Sequence, residues 1–371
     1  MSNYQIPFIN LQHTHACLQQ EMKSTFDKVY NSNWYVLGQE LEKFESQYAL
    51  LHQTNYAIGV SNGLDALQLC LKALNIKPGD EVIVPSNTYI ATALAVTLVG
   101  ATPIFVEPNP YTYNIDPEQI KKAITKQTKA IIPVHLYGQA CEMNAIMNIA
   151  TNHQIPIIED NAQAHLSSYN QKITGSWGIV NATSFYPTKN LGALGDGGAI
   201  TTSNSEFKKQ IEQLRNYGSS QKYHNEVIGH NMRLDELQAS FLNIKLQYLS
   251  HWTLERKNIA EQYLYHLKHC SEIVLPQTAL HADHVYHLFV IRTQQRNELQ
   301  NYLKENGIET LVHYPIPPHL QKCYGHLGYQ KGDFPIAEEL VNTSLSLPLW
   351  PGISQEQVEQ VCKTITSFYQ Q

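Results

Sequence analysis

Seven short apolar runs, at about 56–60, 81–85, 103–107, 129–135, 155–160, 181–186 and 198–203, alternate with stretches of helical periodicity. Strands that return only after an intervening helix are joined by crossovers rather than hairpins, so the alternation predicts an α/β fold with a mostly parallel seven-stranded sheet flanked by helices. The large domain is expected over residues 1–250. From 231 to about 269 the pattern turns helical, with Leu234, Leu237, Phe241, Ile244, Leu246 and Leu249 marking one long amphipathic run. The boundary is placed inside that run. Beyond it, a strand at 284–292, a helix at 295–306 ended by Gly307 and a terminal helix at 356–369 predict a smaller C-terminal α+β domain over 251–371.

Composition narrows the function classes. A chain of 371 residues with 43% hydrophobic content can bury a sizeable core. A net charge of −6 and no long basic run predict no nucleic-acid partner. Cys17, Cys70, Cys141, Cys270, Cys323 and Cys362 are scattered with no C-x-x-C pair, the pattern of buried reduced thiols in a cytoplasmic enzyme rather than of a disulfide framework or zinc site. The histidines form no ligand-spaced cluster, so no metal is expected. The start of the chain lacks the basic and apolar regions of a signal peptide, and the apolar run at 90–99 is far short of the ~18 residues a membrane span needs. Walker, G-x-G-x-x-G, H-E-x-x-H and G-x-S-x-G motifs are missing.

In open α/β sheets ligands gather at the carboxyl ends of strands, and four such ends here carry chemistry. After the first strand, Ser61 or Asn62 caps a helix that Gly63 opens, with apolar residues at Leu64, Leu67, Leu71 and Leu74. Its free N–H groups make either a phosphate cradle or an ordinary capped start. Tyr89, after the second strand, is placed to stack on a flat heteroaromatic ring or to close the core with its hydroxyl at the rim. Asp160, ending the fifth, either holds a pyridinium nitrogen protonated or caps a helix, and Gln163 three residues on is placed to meet a phenolic oxygen. Ser184 offers a hydroxyl to a phosphate or bonds its own backbone. Lys189 stands between a strand and the turn of Gly192, Gly195, Gly197 and Gly198, where its amine can meet a bound aldehyde.

The motifs Ser61-Asn62-Gly63-Leu64-Asp65, Thr88-Tyr89-Ile90-Ala91-Thr92, Glu159-Asp160-Asn161-Ala162-Gln163-Ala164-His165, Ser184-Phe185-Tyr186-Pro187-Thr188-Lys189 and Asn231-Met232-Arg233-Leu234-Asp235-Glu236 occur in this order. Together they resemble the nucleotide-sugar aminotransferases of the DegT/DnrJ/EryC1/StrS family, over nearly the whole chain. The resemblance implies a fold-type I pyridoxal-phosphate aminotransferase. Lys189 becomes the Schiff-base lysine and Asp160 the partner of the pyridine nitrogen. Gln163 meets the phenolic oxygen, Tyr89 covers the ring, and Gly63, Leu64 and Ser184 hold the phosphate. Asn231 reaches the phosphate of the neighbouring subunit's cofactor, which implies a homodimer with shared sites. Leu166 departs from the family, which usually has a small residue after this histidine. Lysine at 189, where dehydratase members carry histidine, favours transamination.

By the same likeness the loop with His313, Tyr314 and His319 lies beside the substrate, and Tyr186 and Tyr217 are further candidates. The form of the helix after Asn62 and the tyrosine-rich site are similar to enzymes aminating the 3-keto position of a dTDP-6-deoxyhexulose, with L-glutamate as expected donor and an amino-deoxy sugar of surface polysaccharide such as O-antigen as product. Amination at the 4-keto position is the alternative within the class. A non-catalytic nucleotide-sugar scaffold is the alternative outside it.

Overall fold

The computed structural model describes residues 4–370. Its central sheet begins with the parallel strands Thr102–Val106, Glu81–Pro85 and Thr128–Ile131, in that spatial order. Parallel bridges from Ile131 to Ile157 and from Val134 to Asp160 carry it on to Ile158–Asp160. Then follow Val180–Ser184, Gly198–Thr202 and Tyr56–Val60. Only Gly198–Thr202 runs against its neighbours. The carboxyl ends of the other strands therefore share one edge of the sheet, and the chain that leaves at Ser184 returns to that edge at Gly198, directly opposite both Val60 and Ser184.

Strands such as Glu81–Pro85 read as near-continuous Val and Ile because both faces are covered, as a parallel sheet requires. The helix Gly63–Ala73 lies on one face. Its Leu67, Leu69 and Leu71 pack with Val82, Val84, Ile158 and Val180, each leucine contributing about 2 kcal/mol on burial. The helix begins at Asn62, whose side chain accepts the Asp65 backbone N–H at 2.9 Å. It ends where Asn75 turns left-handed at φ 57°. The apolar run in the nineties forms the helix Ile90–Leu98. Among the described residues no helix is long and apolar enough to cross a membrane.

A second core gathers Tyr263, Leu299, Val358 and Val361 from the helices Leu249–Leu267, Arg296–Glu305 and Gln355–Tyr369. They pack on the antiparallel pair Phe289–Arg292 and Ser344–Leu347. Ile6, expected with the first unit, packs in this second core. The terminal helix carries a full capping box from Ser354 and Gln357.

Three expectations are corrected. The run from 231 is two helices, Glu236–Leu246 and Leu249–Leu267, and residues 231–235 precede both. Asn231 bridges to Asn216 and Asp235 to Val36, so this stretch serves as edge backbone rather than helix. Only 289–292 of the strand expected at 284–292 forms, because Val285 and Leu288 donate to the carbonyls of Gly138 and Tyr137 and Tyr286 adopts φ 46°. Of the six cysteines, Cys70, Cys141 and Cys362 are buried, whereas Cys17 and Cys323 are exposed.

Candidate active site

The shared edge of the sheet opens into a cleft of ≈ 480 Å³. Gly63, Leu64, Tyr89, Asp160, Gln163, Ser184, Tyr186, Lys189, His313 and Tyr314 all line it. Four separate strand ends and the loop of His313 and Tyr314 thus bring together residues scattered over about 250 positions.

At one end the helix Gly63–Ala73 points its first turn into the cleft. Asn62 takes the N–H of Asp65 with its side chain and that of Ala66 with its carbonyl, which leaves the N–H groups of Gly63 and Leu64 for an anion. A Cβ on Gly63 would lie 2.7 Å from the Ser184 Cβ. The helix start can approach the Ser184 strand end this closely only with glycine at that position. The result is a cradle of backbone donors with a hydroxyl beside it.

At the other end Asp160 is buried, its carboxylate accepting from Thr92 Oγ1 at 2.8 Å and from the Ala162 N–H at 3.2 Å. Burial pushes its pKa up, and the Thr92 hydroxyl, the Ala162 N–H and Lys189 pull it back. A cationic N–H placed against this carboxylate would favour its ionised form. Gln163 is held by its oxygen, which accepts the Tyr137 backbone N–H at 2.6 Å, so its nitrogen is free to act as a donor. That nitrogen donates to the Tyr314 hydroxyl at 2.9 Å. The Tyr89 and Tyr314 rings lie 5.0 Å apart across the mouth.

Between these ends Lys189 is half-buried on a turn stitched by its own N–H to the Tyr186 carbonyl at 2.8 Å. Burial lowers its ammonium to about 8, against the pull of Asp160. His313 is also lowered by burial, to about 4, with Lys189 as the second cause, and His287 is driven well below its usual range. The lysine therefore faces neutral imidazoles and one carboxylate.

Thr92 and His287 also line the cleft. Thr92 closes the motif at 88–92 but is given no role by the sequence, and His287 stands in no motif; Thr92 lies three residues after Tyr89 in the first turn of its helix, a spacing that puts both on one side. His319 does not belong to the cleft. Its ring is buried against Phe334 at 4.7 Å and its Nε2 lies 3.2 Å from Glu338, because the proline turn swings it into the fold. Asn231 and Tyr217 are exposed and outside this chain's own cleft, with Arg233 over the Tyr217 ring.

Backbone N–H donors for a phosphate, a carboxylate for a ring nitrogen, an amide donor for a phenolic oxygen and a lysine for an aldehyde form the donor set that pyridoxal phosphate requires. The residues present fit that group.

The chain is similar to known proteins over its whole length. The dTDP-3-amino-3,6-dideoxy-alpha-D-galactopyranose transaminase of Aneurinibacillus thermoaerophilus is 50% identical over 363 residues, covering 98% of this chain and 99% of the relative. The crystal structure of Streptomyces venezuelae DesV, in complex with a ketimine intermediate, superposes with a TM-score of 0.97 at 44% identity over 100% of both chains. Bacillus subtilis NtdA, solved with bound cofactor PMP, superposes with a TM-score of 0.91 at 32% identity, covering 100% of this chain and 86% of that one. The sequence profile of the DegT/DnrJ/EryC1/StrS aminotransferases matches residues 16–366, and the chain belongs to that family.

Proposed function

We propose that this aminotransferase carries the amino group of L-glutamate to the C3 keto group of a dTDP-linked 6-deoxyhexulose, making an amino-deoxy sugar for surface polysaccharide. Its cofactor is pyridoxal 5'-phosphate, passing to the pyridoxamine form between half-reactions. The observation that carries the reading is Lys189, lowered to about 8, in one cleft with the Asp160 carboxylate and the Gly63 cradle.

Bound pyridoxal phosphate supplies an electron sink for the carbanion formed at the substrate carbon. Asp160 would keep that sink effective by accepting a charge-assisted hydrogen bond from the protonated ring nitrogen, which holds the proton there. Lys189 Nζ, with a pKa near working pH, would take the proton from the donor's α-carbon and return it at the cofactor's aldehyde carbon, two bonds away, and would reverse the transfer for the sugar. Gly63, Leu64 and Ser184 hold the phosphate, Gln163 donates to the phenolic oxygen, and Tyr89 covers the ring. Tyr186, His313 and Tyr314 receive the sugar at the mouth.

The active unit in this reading is a cytoplasmic homodimer. Asn231 and Tyr217, exposed and outside the lining of their own cleft, serve the cleft of the second copy. The C3 assignment rests on the name of the Aneurinibacillus relative at 50% identity. A panel of dTDP-linked keto sugars offered to the pyridoxamine form tests it, with the position of the new amine read by NMR. An amine at C3 is expected; an amine at C4 overturns the regiochemistry.

A further inference from the structure

Lys245 is only 3% exposed, in the last turn of the helix Glu236–Leu246. Among the described residues no carboxylate reaches it: its Nζ donates to the Gly192 carbonyl at 2.6 Å and lies 3.3 Å from His15 Nε2. Burial lowers its ammonium to about 8, and burial together with Lys245 keeps His15 low as well. The helix macrodipole favours a cation in this turn, but an exposed lysine would gain the same without losing its hydration. The specific return for burying this amine is its bond to Gly192.

Gly192 lies three residues after Lys189, on the same excursion from the sheet. The base of that excursion is closed by the Ala193 N–H on the Phe185 carbonyl at 2.8 Å and the Phe185 N–H on the Gly197 carbonyl at 2.7 Å. Within it, Gly192 packs so tightly on Pro187 that a Cβ would stand 2.3 Å from the Pro187 carbonyl oxygen. The side chain of Asn190 reaches Val285 and His287 only through long contacts of 3.4 and 3.3 Å. Lys245 makes the shortest of the side-chain bonds that tie the turn to the body of the protein.

We propose that Lys245 is a positioning residue for the amino-transfer reaction, fixing the Gly192 carbonyl and with it the turn from which Lys189 reaches the cofactor. The inference rests on Lys189 being the reacting lysine. The amine does not touch substrate; it acts through the backbone of the glycine turn. Removing it loosens the direction of the Lys189 side chain, and a displacement of order 1 Å costs about a hundredfold in rate.

Lys245→Met keeps the stem and removes both charge and donor, whereas Lys245→Arg keeps a charged donor. Each holoenzyme is reduced with borohydride and its adduct mapped by peptide mass, its single-turnover rate with L-glutamate is measured, and its melting temperature is recorded. Stability and rate should part company. Removing the buried cation favours the fold while leaving the Gly192 carbonyl without its donor opposes it, so melting changes little, while the Met variant loses rate by about 10- to 100-fold. Its KM for glutamate stays within about threefold, the adduct stays on Lys189, and Arg recovers most of the rate. A Met variant with a parent-like rate and its adduct on Lys189 overturns the proposal, as does a rate that falls together with melting and is not recovered by Arg. If the Met variant does not fold, Arg decides: a rate within about fivefold of the parent is expected, and a hundredfold loss at parent-like stability overturns it. A parent adduct on another lysine refutes instead the assignment of Lys189.

Discussion

The Tyr137 backbone N–H donates to the side-chain oxygen of Gln163 at 2.6 Å, and this fixes which end of the amide the cleft meets. The nitrogen must then point inward as a donor. Gln163→Glu keeps an oxygen for Tyr137 but puts a second acceptor where the donor stood. The cofactor Kd of the apoenzyme, read by titration of visible absorbance, should rise about tenfold, since a hydrogen bond to a charged group contributes ~1.5 kcal/mol or more. An unchanged Kd would place the phenolic oxygen elsewhere.

Gly63→Ala should weaken both folding and phosphate binding. Its Cβ would meet Ser184 Cβ, not merely the hydroxyl. A loss of about 1–3 kcal/mol in stability is expected for such overpacking. Ser184→Ala should not relieve it, because the clashing atom remains. Ser184→Gly should restore part of the stability, and chemical denaturation of the single and double variants checks the order.

Thr92→Val removes the hydroxyl that holds Asp160 in its ionised form. The folded pKa of Asp160 is already raised by burial, so loss of this bond raises it further. The acidic limb of the pH–rate profile should move upward by about one pH unit, taking ~1.5 kcal/mol for the bond. A limb that stays in place would mean that Asp160 does not set it.

With Lys189 lowered to about 8, the neutral amine grows tenfold per pH unit below that value and levels off above it. The rate at which apoenzyme takes up pyridoxal phosphate covalently should follow the same curve, measured by stopped-flow absorbance. Asp160→Asn removes the charge that raises this pKa, so its plateau should begin at lower pH. As for folding, the unfolded chain binds more protons between about 8 and lysine's ordinary value of 10.5, so this group's contribution to stability rises with pH across that window.

The sheet and the cofactor end of the cleft were legible because each part is local. A strand, its terminal side chain and the glycine that follows are fixed within a few residues, as at Gly63, Asp160 and Lys189. What depended on long-range packing was not legible. His319 sits in the same proline-stiffened segment as His313, yet the turn at Pro317 and Pro318 sends it to Glu338. Leu234 suits a helix by its spacing to Leu237, which is helical, but 231–235 is held extended by Asn216 and Val36. Thr92 shows its part only once the fold brings it across 68 positions to Asp160. Leu166, the visible departure from the family pattern, occupies a left-handed position at φ 68°, where a Cβ costs about 1 kcal/mol and glycine avoids that cost.

The central claim is that Lys189, alone among the lysines, bonds covalently to the cofactor in the cleft. Borohydride reduction of the holoenzyme followed by peptide mass mapping tests it most directly. The account expects a single pyridoxyl adduct on the peptide containing Lys189 and none in Lys189→Ala; an adduct on any other lysine, or one that persists in the variant, would contradict it.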